Sequence, residues 1–183
     1  SSEFIEWDSE LTQAVKTLSP FAHELIQNAP YDFYADHFNA ILMELFADDG
    51  LLVIEPKWLD EYSDSFWGKI SNQSQNIIDG LDYDDNQLIS KGHHLQVIRR
   101  HALPIFKIDK RNGLRQALHF ESGMWSDSVN KSKDLLDLQT KDSRFSPSAL
   151  IRPAYAQHHL PIVSTILGPA EMHYHHQNKS LFG

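Results

Sequence analysis

The stretch that most restricts this chain is PIVSTIL, Pro161–Leu167, closed by Gly168 and Pro169. A short apolar run rich in branched residues favours a buried strand. The Gly-Pro step then opens a helix, because proline at the first helical position has its φ already set and lacks only a donor that would go unpaired there. An earlier segment repeats the theme. YDFYADHFNAILMELFADDG places Tyr34, His37, Phe38, Ile41, Leu42, Leu45 and Phe46 on one face of a helix that ends near Asp49, with Gly50 as its stop. The run Leu51–Glu55, LLVIE, follows as a buried strand closed by Pro56. Strand and helix signals that alternate in this way point to an α/β sheet with helices packed on it.

The remaining segments fit that class. Leu11, Val15, Leu18, Ala22, Leu25 and Ile26 recur at helical spacing, and Pro20 splits them into two short helices. Trp58 to about Leu88 reads as one or two helices with Trp58, Leu59, Phe66, Ile70, Ile77, Ile78 and Leu81 toward the core, and the acidic YDDN at 83–86 reads as solvated surface. After Gly92 the period changes toward two, through HLQVIRR and LPIFKID. Asn112-Gly113 between strand-like runs predicts a hairpin pairing Leu103–Asp109 with Leu114–Glu121. Lys131–Gln139 is expected as a short helix. Ser146 and Pro147 are expected as the N-cap and first residue of another. The expectation is a single α/β domain over residues 1–183, a sheet with flanking helices and a β-hairpin insert.

Charge limits the partners. Sixteen Lys and Arg stand against 25 Asp and Glu, a formal net charge of −9, which repels a phosphate backbone. Lys107, Lys110, Arg111 and Arg115 surround one turn and Arg99-Arg100 form a pair, read as solvated charge, so no nucleic-acid partner is expected. No cysteine is present, which removes disulfides, thiolate nucleophiles and thiolate-bound zinc. No apolar run approaches the roughly 20 residues that span a bilayer. SSEFIEWDSE is acidic, lacks the layout of a signal peptide and has no initiator Met. A cytoplasmic protein is expected, its sequence either trimmed from something longer or complete in a reduced form.

The histidines His158, His159, His173, His175 and His176 invite a metal reading. A seven-residue strand spans about 23 Å at ~3.3 Å per residue. A helix doubling straight back recovers only about 12 Å at ~1.5 Å per residue. His158 and His159 would then lie on the order of 10 Å from the helix histidines, too far to share an ion with ~2 Å bonds. No metal is expected. An anion suits the Gly168-Pro169 turn better, since a helix N-terminus offers free N–H groups and the positive end of a dipole, although Glu171 adds negative charge there and simple helix initiation is the alternative. Arg152, with Gln157 a little over one turn later, could clamp a carboxylate or phosphate, or sit in a structural ion pair. Neither the G-x-S-x-G elbow nor a Gly-rich phosphate fingerprint occurs.

Taken together, FSPSALIRPAYAQHHLPIVSTILGPAEMHYHHQ resembles the bacillithiol-biosynthesis cysteine-adding enzymes, a family of cysteine ligases. Their signature runs S-P-N-x-L-x-R-P, then Q, L-P, G-P-x-E-x-x-Y and Q. Here it falls on Ser146, Pro147, Leu150, Arg152, Pro153, Gln157, Leu160, Pro161, Gly168, Pro169, Glu171, Tyr174 and Gln177. Ser148 stands where the family has Asn. LMELFADDGLLVIEP resembles the family's helix-to-strand step and LPIFKIDKRNGLR its hairpin, so the likeness covers Tyr31 to Gln177, the second half of the core. Family members are longer. They begin with a Gln/Gly-rich strand-turn and a His/Asp segment, and they end in a helical coiled coil for dimerisation.

The resemblance implies a Rossmann-like core and the joining of cysteine to the amine of glucosaminyl-malate. It places Arg152, Gln157, Gly168, Pro169, Glu171 and Tyr174 at a substrate or nucleotide site. It leaves the catalytic base open and ATP or another nucleotide as the class of activating cofactor. The small-molecule substrates would be cysteine and an amino-sugar malate, and the protein partner would be the missing half of the core or a second copy. A non-catalytic α/β binding or interaction domain derived from the same fold is the alternative.

Overall fold

The computed structural model of the protein describes residues 9–21, 23–24, 34–99, 103 and 105–182. Two compact units divide the chain, Ser1–Trp58 and Leu59–Gly183.

In the first unit, helices α1 (Ser9–Leu18) and α2 (Tyr34–Phe46) form where the spacing predicts. Pro20 does interrupt the opening segment. Helical geometry stops at Leu18 and resumes at Pro20, and the His23 N–H donates to the Ser19 carbonyl at 3.0 Å. The core expected from Leu11, Val15, Leu18, Ala22, Leu25, Ile26 and Tyr34 rests on side chains outside the described residues. The end of α2 follows from Gly50, whose φ of +76° is open to a residue without a Cβ. There the Gly50 N–H reaches the Ala47 carbonyl at 3.1 Å and the Leu51 N–H reaches Phe46 at 3.2 Å, the two bonds of a Schellman cap. Leu51–Glu55 is not a strand. It has no ladder partner among the described residues, and Leu51, Leu52 and Ile54 stay exposed.

A 3-10 helix, Pro56–Tyr62, leads toward α3 (Asp64–Asn72) and α4 (Ser74–Ser90) of the second unit. The predicted hairpin is present. Strand β1 (Ile105–Asp109) pairs antiparallel with β2 (Arg115–Ala117), with Lys107 opposite Gln116. The Asn112 side chain accepts the Leu114 N–H at 2.9 Å and closes the turn. The hairpin is shorter than expected, because β3 (His119–Glu121) leaves it to pair with β4 (Met124–Ser126), which also pairs with β5 (Lys131–Ser132). Ser122 and Gly123, both at positive φ, form the two-residue link between β3 and β4.

Two expected helices are corrected. Lys131–Gln139 contains β5 and then only a 3-10 turn, Leu135–Leu138, capped by the Asp134 carboxylate on the Leu136 N–H. Ser146 and Pro147 do not start a helix. They end β6 (Ser143–Pro147), which pairs antiparallel with β1 from Ile105 opposite Pro147 to Asp109 opposite Ser143. The period-two burial of Ser143, Phe145 and Pro147 decides the matter. The helix, α5 (Arg152–His159), starts later and carries Pro153 in its first turn.

The core of this unit joins both sheets to α3, α4 and α5 through Trp67, Leu81, Ile105, Leu118, Trp125, Leu135, Phe145 and Ile151. Tyr155 fixes α5: its ring meets Phe66 edge-on at 5.1 Å and stacks on Trp67 at 5.5 Å. Among the described residues both sheets are antiparallel. Pro161–Leu167, expected as a buried strand, is unpaired backbone with Val163 99% and Ile166 98% exposed. Apolar sequence favours a strand only where a neighbouring strand takes its backbone groups. The closing helix α6 (Pro169–His176) forms as predicted.

Candidate functional site

Local chemistry builds the start of α6. Gly168 is its N-cap, Pro169 lies in its first turn, and the Gly168 N–H donates to Glu171 Oε2 at 2.8 Å, one half of a capping box. Glu171 also holds the Tyr174 hydroxyl three residues on. Burial first, then the Glu171 charge and hydrogen bond, push the Tyr174 phenol above its ordinary value, and Arg152 pulls it the other way. Gly168, Pro169, Glu171 and Tyr174 therefore belong to α6 and its N-cap, and the Arg152 charge at the start of α5 acts on Tyr174. The arginine is exposed at the first position of α5. Among the described residues it has no ion pair, so a structural salt bridge does not account for it there. A cation at the positive end of a helix dipole is unfavourable by about 0.3–1 kcal/mol.

Gln157 lies apart from this group. Five residues turn a helix by about 500°, which leaves it roughly 140° around α5 from Arg152. It lines a cleft of about 370 Å³ with Phe66, Lys69, Gln73, His158 and Phe182. In that cleft His158 Nε2 lies 3.0 Å from Ser65 Oγ. Burial, the Lys69 charge and His159 lower its pKa.

The other histidines have separate neighbours. The Nδ1 atoms of His159 and His176 lie against the carbonyls of Tyr155 and Met172 at 2.8 and 2.6 Å, and His173 faces Gln96 at 3.5 Å. Among the described residues no three His, Asp or Glu side chains gather as a metal site would need.

A buried polar network escaped the sequence reading. Asp84 and Asp85, read as solvated surface, are 6% and 9% exposed. Asp85 accepts from Arg99 Nη2 at 2.6 Å and from Gln177 Nε2 at 3.0 Å. Gln177 is fully buried, and its Oε1 accepts the N–H groups of Gln96 and Val97 at 2.9 and 3.0 Å. It thus has a structural role directly behind α6. Arg99 and Lys107, read as solvated charge, are paired as well: Lys107 Nζ meets Asp127 at 2.8 Å. Arg100 lies outside the described residues.

The family described as "Bacillithiol biosynthesis BshC, N-terminal Rossmann-like domain" matches residues 4–183. The chain belongs to the BshC family. Its fold class is accordingly Rossmann-like, mixed α/β. Several BshC relatives carry the name "Putative cysteine ligase BshC". One from Natranaerobius thermophilus is 27% identical over 156 residues, covering 81% of this chain and 28% of the relative. One from Bacillus cytotoxicus is 24% identical over 180 residues, 93% of this chain and 32% of the relative. A third, from Geobacillus thermodenitrificans, is 27% identical over 159 residues, 81% and 29%. The chain thus spans about a third of the length of these BshC relatives or slightly less. Among its described residues no helix is long and apolar enough to cross a membrane.

Proposed function

We propose that this chain is part of the catalytic core of a cysteine ligase that adds cysteine to glucosaminyl-malate in bacillithiol-type thiol biosynthesis. Residues 31–177 would form the second half of that core. Arg152, with Gly168, Pro169, Glu171 and Tyr174, would bind a carboxylate or phosphate of the substrate or of an activating nucleotide, and Gln157 would reach a second part of the ligand from its own cleft. Joining a carboxylate to an amine releases water, so the cysteine carboxyl must be activated. A nucleoside triphosphate would do this by taking the carboxylate oxygen onto its phosphoryl group.

The observation that carries the reading is Arg152. It sits against the helix dipole at the start of α5, without an ion pair among the described residues, and its charge acts on Tyr174. Such a cation contributes little to stability, and its planar fork suits a bidentate anion. The full-length protein should be incubated with glucosaminyl-malate and cysteine, with and without ATP, and the products weighed by mass spectrometry. Appearance of the cysteinyl amide supports the ligase. Binding of the substrates with no product in either condition would leave the non-catalytic binding domain instead.

A further inference from the structure

One cleft in the second unit has walls held in place by residues far apart in the sequence. It is the space of about 370 Å³ that Gln157 lines, a volume within the roughly 300–1,000 Å³ of small-molecule sites. Phe66, Ile70, Leu181 and Phe182 supply much of its apolar surface. One wall is the closing 3-10 turn, Lys179–Phe182. Ser180 packs so closely on α4 that a Cβ at Gly80 would lie 2.8 Å from its Oγ. The Ser180 N–H also donates to Asp84 at 2.7 Å. Asn178, fully buried just before the turn, donates to the Leu150 carbonyl at 2.7 Å. On α5, Ser65 holds the His158 ring at 3.0 Å and Phe66 packs against it with 5.4 Å between ring centres. A cleft fixed in this way needs little ordering when a ligand enters.

The charge of the lining is one-sided. No Asp or Glu lines the cleft, in a chain whose 25 acidic residues outnumber its 16 basic ones. Lys69, in the last turn of α3, is its one full charge and has no ion pair among the described residues. His158 adds no charge at neutral pH, because burial and then the Lys69 charge hold its pKa below the ordinary value. Both side chains stand in the last turns of their helices, and the carbonyl end of a helix disfavours negative charge. One cation beside two such ends suits a single negative charge better than the two of a phosphate monoester. We infer that this cleft binds a small monocarboxylate with an apolar body, its carboxylate on Lys69 and its body over Phe66, Leu181 and Phe182. The inference goes beyond the ligase reading, which uses Gln157 alone of these residues. Glucosaminyl-malate carries two carboxylates and a hydroxyl-covered sugar, which match neither the single charge nor the apolar surface.

The test is calorimetry of the full-length protein with three probes that share one aromatic body. They are 1-naphthylacetate, the neutral 1-naphthylacetamide and the dianion 1-naphthylmethyl phosphate. The acetate should bind in a saturable way, and the amide and the phosphate should bind about tenfold more weakly, the worth of a hydrogen bond to a charged group. Lys69→Gln should weaken the acetate by the same factor and leave the amide unchanged. Phe182→Ala should weaken acetate and amide alike. The urea midpoint by tryptophan fluorescence shows that each variant is folded. Equal affinity for acetate and amide in the native protein overturns the inference, as does the absence of saturable acetate binding. Tighter binding of the phosphate overturns it too, and so does full acetate affinity in a folded Lys69→Gln. Displacement of the acetate by glucosaminyl-malate also overturns it, since the cleft would then belong to the ligase substrate.

Discussion

Gln177 grips Val97 at both of its backbone groups. Its Oε1 accepts the Val97 N–H and its Nε2 donates to the Val97 carbonyl, each at 3.0 Å. One amide side chain does here what a neighbouring strand does in a ladder, and its remaining bonds reach Gln96 and Asp85. Residues 93–99 alternate like a strand yet pair with no other strand among the described residues.

Gln177→Ala would therefore leave several buried groups without partners. Each unmet group costs about 1–3 kcal/mol, and water entering the vacated space recovers part of that. The expected loss is about 3 kcal/mol, read as a lower urea midpoint by the fluorescence of buried Trp67 and Trp125. Gln177→Glu should cost at least as much, because a second oxygen would then face the Asp85 carboxylate. A midpoint unchanged by either substitution would remove Gln177 from its structural role.

Arg152→Ala separates binding from stability. Removing a cation from the positive end of α5 should leave the urea midpoint unchanged or raise stability by about 0.3–1 kcal/mol. Binding of glucosaminyl-malate or ATP to the full-length protein should weaken at least tenfold, by about 1.4 kcal/mol or more. Arg152→Lys should recover only part of it, since an ammonium cannot form the paired bonds of a guanidinium. Calorimetry showing full affinity in Arg152→Ala would take the residue out of the site.

What the sequence disclosed was local. The Asn112-Gly113 turn, the Gly50 stop and the Gly168–Glu171 cap each depend on residues within five positions of one another, so short-range patterns carry them. Phe66 and Ile70 were legible as core for the same reason. The Asp85–Arg99–Gln177 network joins residues up to 92 apart, and no window along the chain contains it. Pro147 and Pro153 give the same helix-start signal, and only pairing with β1 shows that the first belongs to a strand. Leu51–Glu55 and Pro161–Leu167 read as strands on composition, but a strand needs a partner as well as a propensity. Within the candidate site, Gly168, Glu171 and Tyr174 could be grouped by helical spacing. The separate cleft of Gln157 needed the fold.

Glu171→Gln tests the wiring of the site. With its negative charge gone, the Tyr174 phenolate should form more readily, and the pKa should fall back toward the ordinary tyrosine value while burial alone still holds it up. The measurement is a tyrosinate absorbance titration, with Tyr174→Phe subtracted to isolate this one ring. An unmoved Tyr174 titration would show that Glu171 does not act on it. The cap should largely survive, since a glutamine oxygen can still accept the Gly168 N–H.

The pair of Lys107 and Asp127 sets an acid limit on the second unit. Asp127 is nearly enclosed, with its side chain 3% exposed. Burial alone would raise its pKa, but Lys107 and the N–H groups of Asn130 and Val129 outweigh it and hold the carboxyl at about 2. The folded value lies below the unfolded one, near 3.8. The stabilisation is therefore complete above the unfolded value and is lost as pH falls through the folded one. At neutral pH it is on the order of 2 kcal/mol, since each unit of displacement corresponds to about 1.4 kcal/mol. Asp127→Asn should therefore lower stability by roughly that amount at neutral pH. The difference from the native chain should shrink between about pH 5 and pH 2, as the native carboxyl takes up its proton. Urea unfolding at a series of pH values, followed by tryptophan fluorescence, gives both curves. A gap that stays constant across that range would mean that packing around Asp127, and not its charge, holds β1 to the end of β4.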